Sequence, residues 1–156
     1  MIKVIFVCLG NICRSPMAEG LFKKKIEDLG LEKDILIESR ATSSWEVGNP
    51  VHRGTKQILN QHHINTDHMY AKQISDLDFY DFDYIIGMDE SNVRTLIKMN
   101  KKMGNKVHLF LDILNESHNK SIPDPYYSGN FIETYELITS AIDLWIEKFK
   151  NDLKID

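Results

Sequence analysis

A chain of 156 residues, 42% hydrophobic and 27% charged, is long enough for one domain with a substantial core and has the composition of an ordinary soluble globular protein. Its net charge of −4 argues against a nucleic-acid surface, and no apolar run approaches the ~20 residues that cross a bilayer. The only two cysteines, Cys8 and Cys13, share one short segment, so no disulfide framework is expected. With no apolar signal core in Met1 to Val7, a reducing, cytoplasmic location is the expectation.

Taken in order, the β-branched and aromatic run from Ile2 to Val7 predicts a buried strand. Met17 to Leu29 predicts an amphipathic helix through Met17, Leu21, Phe22, Ile26 and Leu29, stopped by Gly30. Ile35 to Ala41 reads as a second strand, Pro50 to Gln61 as a helix carrying Val51, Ile58 and Leu59, and Asp83 to Met88 as a third strand. A helix from Glu90 to about Lys102, a strand at Val107 to Leu111 and a long helix from Phe131 to Phe149 complete the pattern. Such alternation implies an α/β fold, a mainly parallel sheet covered by helices through right-handed crossovers.

Three connections, Thr42 to Asn49, His63 to Tyr80 and Asp112 to Gly129, exceed the usual length of about 4–6 residues and are expected to carry function. In two of them Trp45 and the pair Tyr126-Tyr127 read as pocket walls, with one ring expected to pack down its own loop. Lys23-Lys24-Lys25 reads as a solvated helix face. His52, His62, His63, His68, His108 and His118 show no zinc-type spacing, so neither metal nor cofactor is predicted.

The segment Cys8-Leu9-Gly10-Asn11-Ile12-Cys13-Arg14-Ser15-Pro16 lies where the first strand passes into the first helix. Gly10 and Asn11 tolerate left-handed backbone angles, so successive N–H groups can line one concave nest. The helix N-terminus adds free donors and a partial positive charge, and Arg14 offers a planar fork for a phosphate. The same features favour the thiolate of Cys8, the nucleophilic form. A cysteine in such a turn is most often a small buried hydrophobe. The joint occurrence of thiol, Gly-Asn turn, Arg and Ser-Pro helix start, at the strand end where open sheets bind ligands, favours an anion site. Asp124, stiffened by Pro125, is a turn residue on its own and a candidate proton donor beside that cradle.

This segment resembles the phosphate-binding loop of the low-molecular-weight protein tyrosine phosphatases. Thr42-Ser43-Ser44-Trp45-Glu46-Val47-Gly48, Asp81 to Ile86 with Met88-Asp89-Glu90-Ser91-Asn92, and Asp124-Pro125-Tyr126-Tyr127 resemble further segments of the family, in its order. The resemblance implies one domain over residues 1–156, a three-layer, Rossmann-like α/β/α arrangement around a four-stranded parallel sheet. It implies phosphotyrosine hydrolysis through a cysteinyl-phosphate, with Cys8 as nucleophile, Arg14 binding phosphate and Asp124 as general acid and base. Leu9, Gly10, Asn11, Ile12, Cys13 and Ser15 would then form the phosphate loop, and Trp45, Tyr126 and Tyr127 the substrate cleft. A phosphotyrosine-containing protein would be the partner and inorganic phosphate the product, with no nucleic acid or membrane and a monomeric enzyme.

Individual residues refine this reading. Ser15 has two roles that do not exclude each other, capping the helix that begins at Pro16 and, as the resemblance implies, donating to the Cys8 sulfur, while Asn11 braces the loop. Cys13 is either a packing residue or a resolving thiol able to form a reversible disulfide with oxidised Cys8. Asp89 reads as a helix cap. Many family members carry a histidine where this chain has Met69, so either His68 substitutes by a shift or the network supporting the loop is reduced. Arginine phosphatases of similar sequence typically have Thr where Ile12 stands, which favours phosphotyrosine here. Arsenate reductases on this scaffold need two further downstream cysteines that this chain lacks. A non-catalytic phosphate-binding module would not explain Cys8, Arg14 and Asp124 together.

Overall fold

The computed structural model describes residues 1–115 and 120–154. Four strands, β1 (Ile2–Cys8), β2 (Ile35–Ala41), β3 (Tyr84–Gly87) and β4 (Val107–Leu109), form one sheet in the order β2-β1-β3-β4, every neighbouring pair parallel. The central strand β1 alternates strictly. Val4, Phe6 and Cys8 join a core with Met17, Phe22, Phe110, Trp145 and Phe149, whereas Ile5 and Val7 join the opposite core with Ile74, Phe79, Ile85 and Leu96. Both faces of β1 are therefore buried, which is why it reads as a continuous apolar run.

Helices α1 (Arg14–Asp28) and α6 (Phe131–Leu153) cover the first face, and α3 (Asp76–Asp81) and α4 (Glu90–Met99) the second; α2 (Arg53–Gln61) packs on α1 and α6. The predicted helices and strands are all present, β2 with the predicted ends and the others with one or both ends shifted. α1 begins at Arg14, ahead of the predicted Met17, because Pro16 fits within the first turn, where its missing N–H costs no bond. Gly30 ends it at φ 71°, its N–H bonded to the carbonyl of Glu27 at 3.0 Å. α2 starts three residues after Pro50 because the His52 ring nitrogen accepts the Gly54 N–H at 3.1 Å. β4 ends at Leu109, and Phe110–Leu114 coil into a 3-10 helix. Two of the long connections hold short helices that hydrophobic periodicity does not reveal, α3 and the single turn α5 (Pro125–Ser128).

Candidate active site

β1 ends at Cys8 and α1 starts at Arg14, so the intervening turn lies at the carboxyl edge of the sheet's central strands. Asn11 adopts the left-handed conformation at φ 60°. Gly10 does not, contrary to expectation; a Cβ there would stand 3.3 Å from Cγ of Glu46, so glycine serves close approach of a neighbouring loop. The Cys8 sulfur lies 3.0 Å from Ser15 Oγ and accepts the Asn11 N–H at 3.3 Å. Asn11 Nδ2 donates to Ser15 Oγ at 2.7 Å and to Ser39 Oγ at 2.9 Å, and its Oδ1 accepts the Lys72 N–H at 2.9 Å. Ser39 in turn donates to Glu19 Oε1 at 2.5 Å. A buried chain of polar groups thus runs from Glu19 to the sulfur.

This geometry bears on two points left open by sequence. α1 has no side-chain cap, and the Ser15 hydroxyl faces sulfur. His68 is exposed and Met69 buried, and Ser39 is bonded to Glu19, so the loop network runs without a histidine in the family position.

Arg14 is only 2% exposed. Its Nη1 donates to Asp89 Oδ2 at 2.6 Å and to the Ile122 carbonyl at 2.9 Å, and Nη2 donates to Asp124 Oδ2 at 3.3 Å. Its Nε is buried without a partner among the described residues, a donor aligned by its neighbours and left over for an anion. Burial opposes the charge, but the Cys8 sulfur, the Asp89 hydrogen bond and Asp124 outweigh it and hold the guanidinium above its ordinary range. Asp89 does two jobs: Oδ1 caps α4 by accepting the Asn92 N–H at 2.7 Å, while Oδ2 orients Arg14. Capping was legible in the sequence; the contact with Arg14 was not. Its signal was the position of Asp89 just past the end of the strand beside β1.

Asp124 reaches this place through the backbone of its own segment. The Met88 N–H bonds to the Val7 carbonyl at 3.0 Å and the Ile122 N–H to the Met88 carbonyl at 3.0 Å, so residue 122 is tethered to the sheet edge. Pro125 opens α5, and Asp124 Oδ1 accepts the Tyr126 N–H at 3.0 Å. A concavity of about 130 Å³ is lined by Cys8, Leu9, Gly10, Ile12 and Cys13 at its floor, and by Trp45, Glu46, Asp124, Tyr126 and Tyr127 above. Asn11, Arg14 and Ser15 lie behind that lining and hold it. All three rings line the pocket, contrary to the expectation that one would pack down its own loop. Glu46 was missed, with only its adjacency to Trp45 as a signal. The Trp45 loop is fixed to the turn by Thr42 N–H on the Cys8 carbonyl at 2.9 Å and Ser43 N–H on the Leu9 carbonyl at 3.1 Å.

Cys13 also packs against Ile12 and Ala71. Burial first, then the neighbouring Cys8 and Asp124, push its thiol far above the ordinary range, so it stays protonated. The histidines are dispersed: His52 stacks on Phe131 at 4.9 Å and His62 on Tyr135 at 4.9 Å, while His118 lies outside the described residues.

Residues 3–155 match the family model described as low molecular weight phosphotyrosine protein phosphatase. The chain is 42% identical to the low molecular weight protein-tyrosine-phosphatase YfkJ of Bacillus subtilis (strain 168), over 99% of this chain and 100% of that protein. It is 40% identical to the low molecular weight protein-tyrosine-phosphatase PtpA of Staphylococcus aureus (strain MRSA252), over 99% of this chain and 98% of that protein. The crystal structure of YfkJ superposes with a TM-score of 0.92, covering 97% of this chain and 96% of that one. A drosophila arginine phosphatase superposes with a TM-score of 0.87 at 34% identity, covering 96% and 98%. With nearly its whole length matched in sequence and in fold, the chain belongs to the low molecular weight phosphotyrosine protein phosphatase family.

Proposed function

We propose that this protein hydrolyses phosphotyrosine in protein substrates through a covalent cysteinyl-phosphate. The observation that carries the reading is the single small concavity shared by the Cys8 sulfur and the Asp124 carboxyl, backed by a buried guanidinium with an unpartnered Nε. The Cys8 thiolate attacks phosphorus in line with the departing tyrosyl oxygen. Arg14 and the N–H groups of residues 9–15 hold the three equatorial oxygens, and Asp124 donates its proton to the leaving phenolate as the P–O bond breaks. Water then attacks the cysteinyl-phosphate, giving its proton to Asp124, and phosphate leaves with the thiolate restored. Ser15 and the Asn11 N–H stabilise the sulfur as it regains charge.

Leu9, Gly10, Ile12 and Cys13 complete the phosphate loop, and Trp45, Tyr126 and Tyr127 make a slot for a planar ring. Ile12 presents an apolar wall where similar arginine phosphatases typically have Thr, which supports phosphotyrosine over phosphoarginine. Cys13 serves as resolving thiol: oxidation of Cys8 to the sulfenic acid removes the neighbouring charge that helps keep Cys13 protonated, and Cys13 then gives its proton to the departing hydroxyl as its sulfur bonds to Cys8, yielding a disulfide and water. The reading carries no cofactor, no nucleic-acid or membrane partner, and a monomer in a reducing cytoplasm that keeps Cys8 active. No helix among the described residues is long and apolar enough to cross a membrane.

Phosphate release from matched phosphotyrosine, phosphoserine and phosphoarginine peptides tests the reading. It predicts turnover of phosphotyrosine that is lost in Cys8→Ser and much reduced in Asp124→Ala. Preference for phosphoarginine would overturn the argument from Ile12, and binding of phosphate without turnover of any peptide would favour a binding module.

A further inference from the structure

A second concavity, of about 870 Å³, opens beside the one that holds Cys8, and Tyr126 is a wall of both. Its other side is the exposed face of α2. Two cations, Arg53 and Lys56, line it together with the amides Gln57, Asn60 and Gln61, and no carboxylate does among the described residues. Both cations are exposed, and neither joins an ion pair among the described residues. On a chain of net charge −4 this is a local reversal of sign.

The groove is rigidly built and fixed to the phosphate loop. The His52 N–H bonds to the Ile12 carbonyl at 2.9 Å and Thr55 Oγ1 donates to the Cys13 carbonyl at 2.9 Å, so the first turn of α2 is anchored to the loop at two points. Gly54 allows the Phe131 ring to lie against the helix, where a Cβ would come within 2.5 Å of the ring. His52 stacks on the other side of the contact, 4.9 Å from Phe131, and meets Tyr126 edge-on at 6.1 Å. The result is an aromatic floor with a basic rim, continuous through Tyr126 with the slot for the phosphorylated ring.

We infer that this groove binds the stretch of substrate next to the phosphotyrosine and selects a carboxylate side chain there through Arg53 and Lys56. The inference rests on the phosphatase reading above and adds a substrate class to it: phosphotyrosine sites flanked by Asp or Glu. An extended peptide advances roughly 3.3 Å per residue, so a side chain two to four positions from the phosphotyrosine lies about 7–13 Å along the chain, the reach of a groove that begins at the pocket wall. Exposed charges of this kind act mainly on encounter and ground-state binding, so the effect belongs in KM.

The test is steady-state hydrolysis of three phosphotyrosine peptides that differ only in carrying Glu, Ala or Lys at the flanking positions. Wild type is compared with the double variant Arg53→Ala, Lys56→Ala, and p-nitrophenyl phosphate serves as a substrate that cannot reach the groove. Wild type is expected to show a KM roughly threefold to tenfold lower for the Glu peptide than for the Lys peptide, a difference that shrinks as salt rises. The double variant is expected to lose the difference while keeping its kinetics on p-nitrophenyl phosphate. Equal KM values for the three peptides in wild type, with p-nitrophenyl phosphate still hydrolysed, would overturn the groove inference alone. Discrimination undiminished in the variant would overturn it as well. Absence of hydrolysis of p-nitrophenyl phosphate by wild type would overturn the phosphatase reading and the inference with it.

Discussion

At the floor of the pocket and directly behind it, Cys8, Asn11, Arg14 and Ser15 are all nearly free of solvent contact, and each is held by hydrogen bonds to residues on other elements or across the turn. At the rim, Trp45, Tyr126 and Tyr127 are 74%, 54% and 75% exposed. The floor is over-determined: Asn11 alone is bonded to Ser15, Ser39 and the backbone at Lys72, and Arg14 to Asp89, Asp124 and Ile122. The rim rings have few constraints beyond the anchoring of their loops and two edge-to-face contacts of Tyr126, with Tyr127 at 5.2 Å and with His52 at 6.1 Å. Charge stabilisation needs fixed dipoles in a site shielded from water, the role proposed for the floor. Choice of substrate needs a large contact surface whose residues can change without disturbing the chemistry, the role proposed for the rim.

The sharpest way to separate the two regions is to remove the sulfur. Cys8→Ser is expected to lower turnover by about a thousandfold or more while inorganic phosphate still binds, measured by calorimetry against steady-state rates. Asp124→Asn is expected to slow phosphotyrosine hydrolysis by roughly 10²–10⁴-fold, with a much smaller loss on an aryl phosphate whose phenol leaves unaided. Asp89→Asn keeps the α4 cap but removes the charge that orients Arg14. It is expected to lower kcat by about tenfold to a hundredfold, with unfolding in urea shifted by less than about 1 kcal/mol. Trp45→Ala belongs to the rim: KM for aryl phosphates rises a few-fold and stability stays within about 0.5 kcal/mol. An effect of Trp45→Ala on kcat as large as that of Asp89→Asn would erase the distinction between floor and rim.

The smallest expected effect lies away from both regions. Burial, with Lys148 adding to it, lowers His108 below its ordinary value of 6.5. The unfolded chain then takes up the proton first. The stability His108 contributes is present above about 6.5 and is lost as pH falls through its lower folded value. Thermal melts of wild type should therefore fall off more steeply on acidification than those of His108→Asn.

Much of the floor was legible in the sequence because it is local. Cys8 through Pro16 is one continuous turn, and the strand before it and helix after it announce themselves by their apolar periods. The contacts that complete the floor are not local. Arg14 meets Asp89 across 75 positions and Asn11 meets Ser39 across 28, and no pattern of spacing reports such pairs. Ser39 and Glu19 look like ordinary polar positions of a strand and a helix until the sheet register brings them together. α3 escaped for a different reason: six residues, three of them Asp, give too little periodicity, although Ser75 followed three residues later by Asp78 carried the capping signal. Gly10 beside Asn11 suggests a backbone-angle requirement and instead meets a spacing requirement, which depends on a loop more than thirty positions away.

The central claim is that Cys8 carries the phosphoryl group between two chemical steps, on a floor built to hold it. Asp124→Ala is mixed with an aryl phosphate whose phenol leaves without an acid, quenched in acid, digested, and the fragments are weighed by mass spectrometry. Because the variant lacks the base for the second step, the account predicts a phosphorylated fragment containing Cys8, absent when Cys8→Ser is added. Phosphate on any other residue, or steady release of phosphate with no phosphorylated fragment at all, would contradict it.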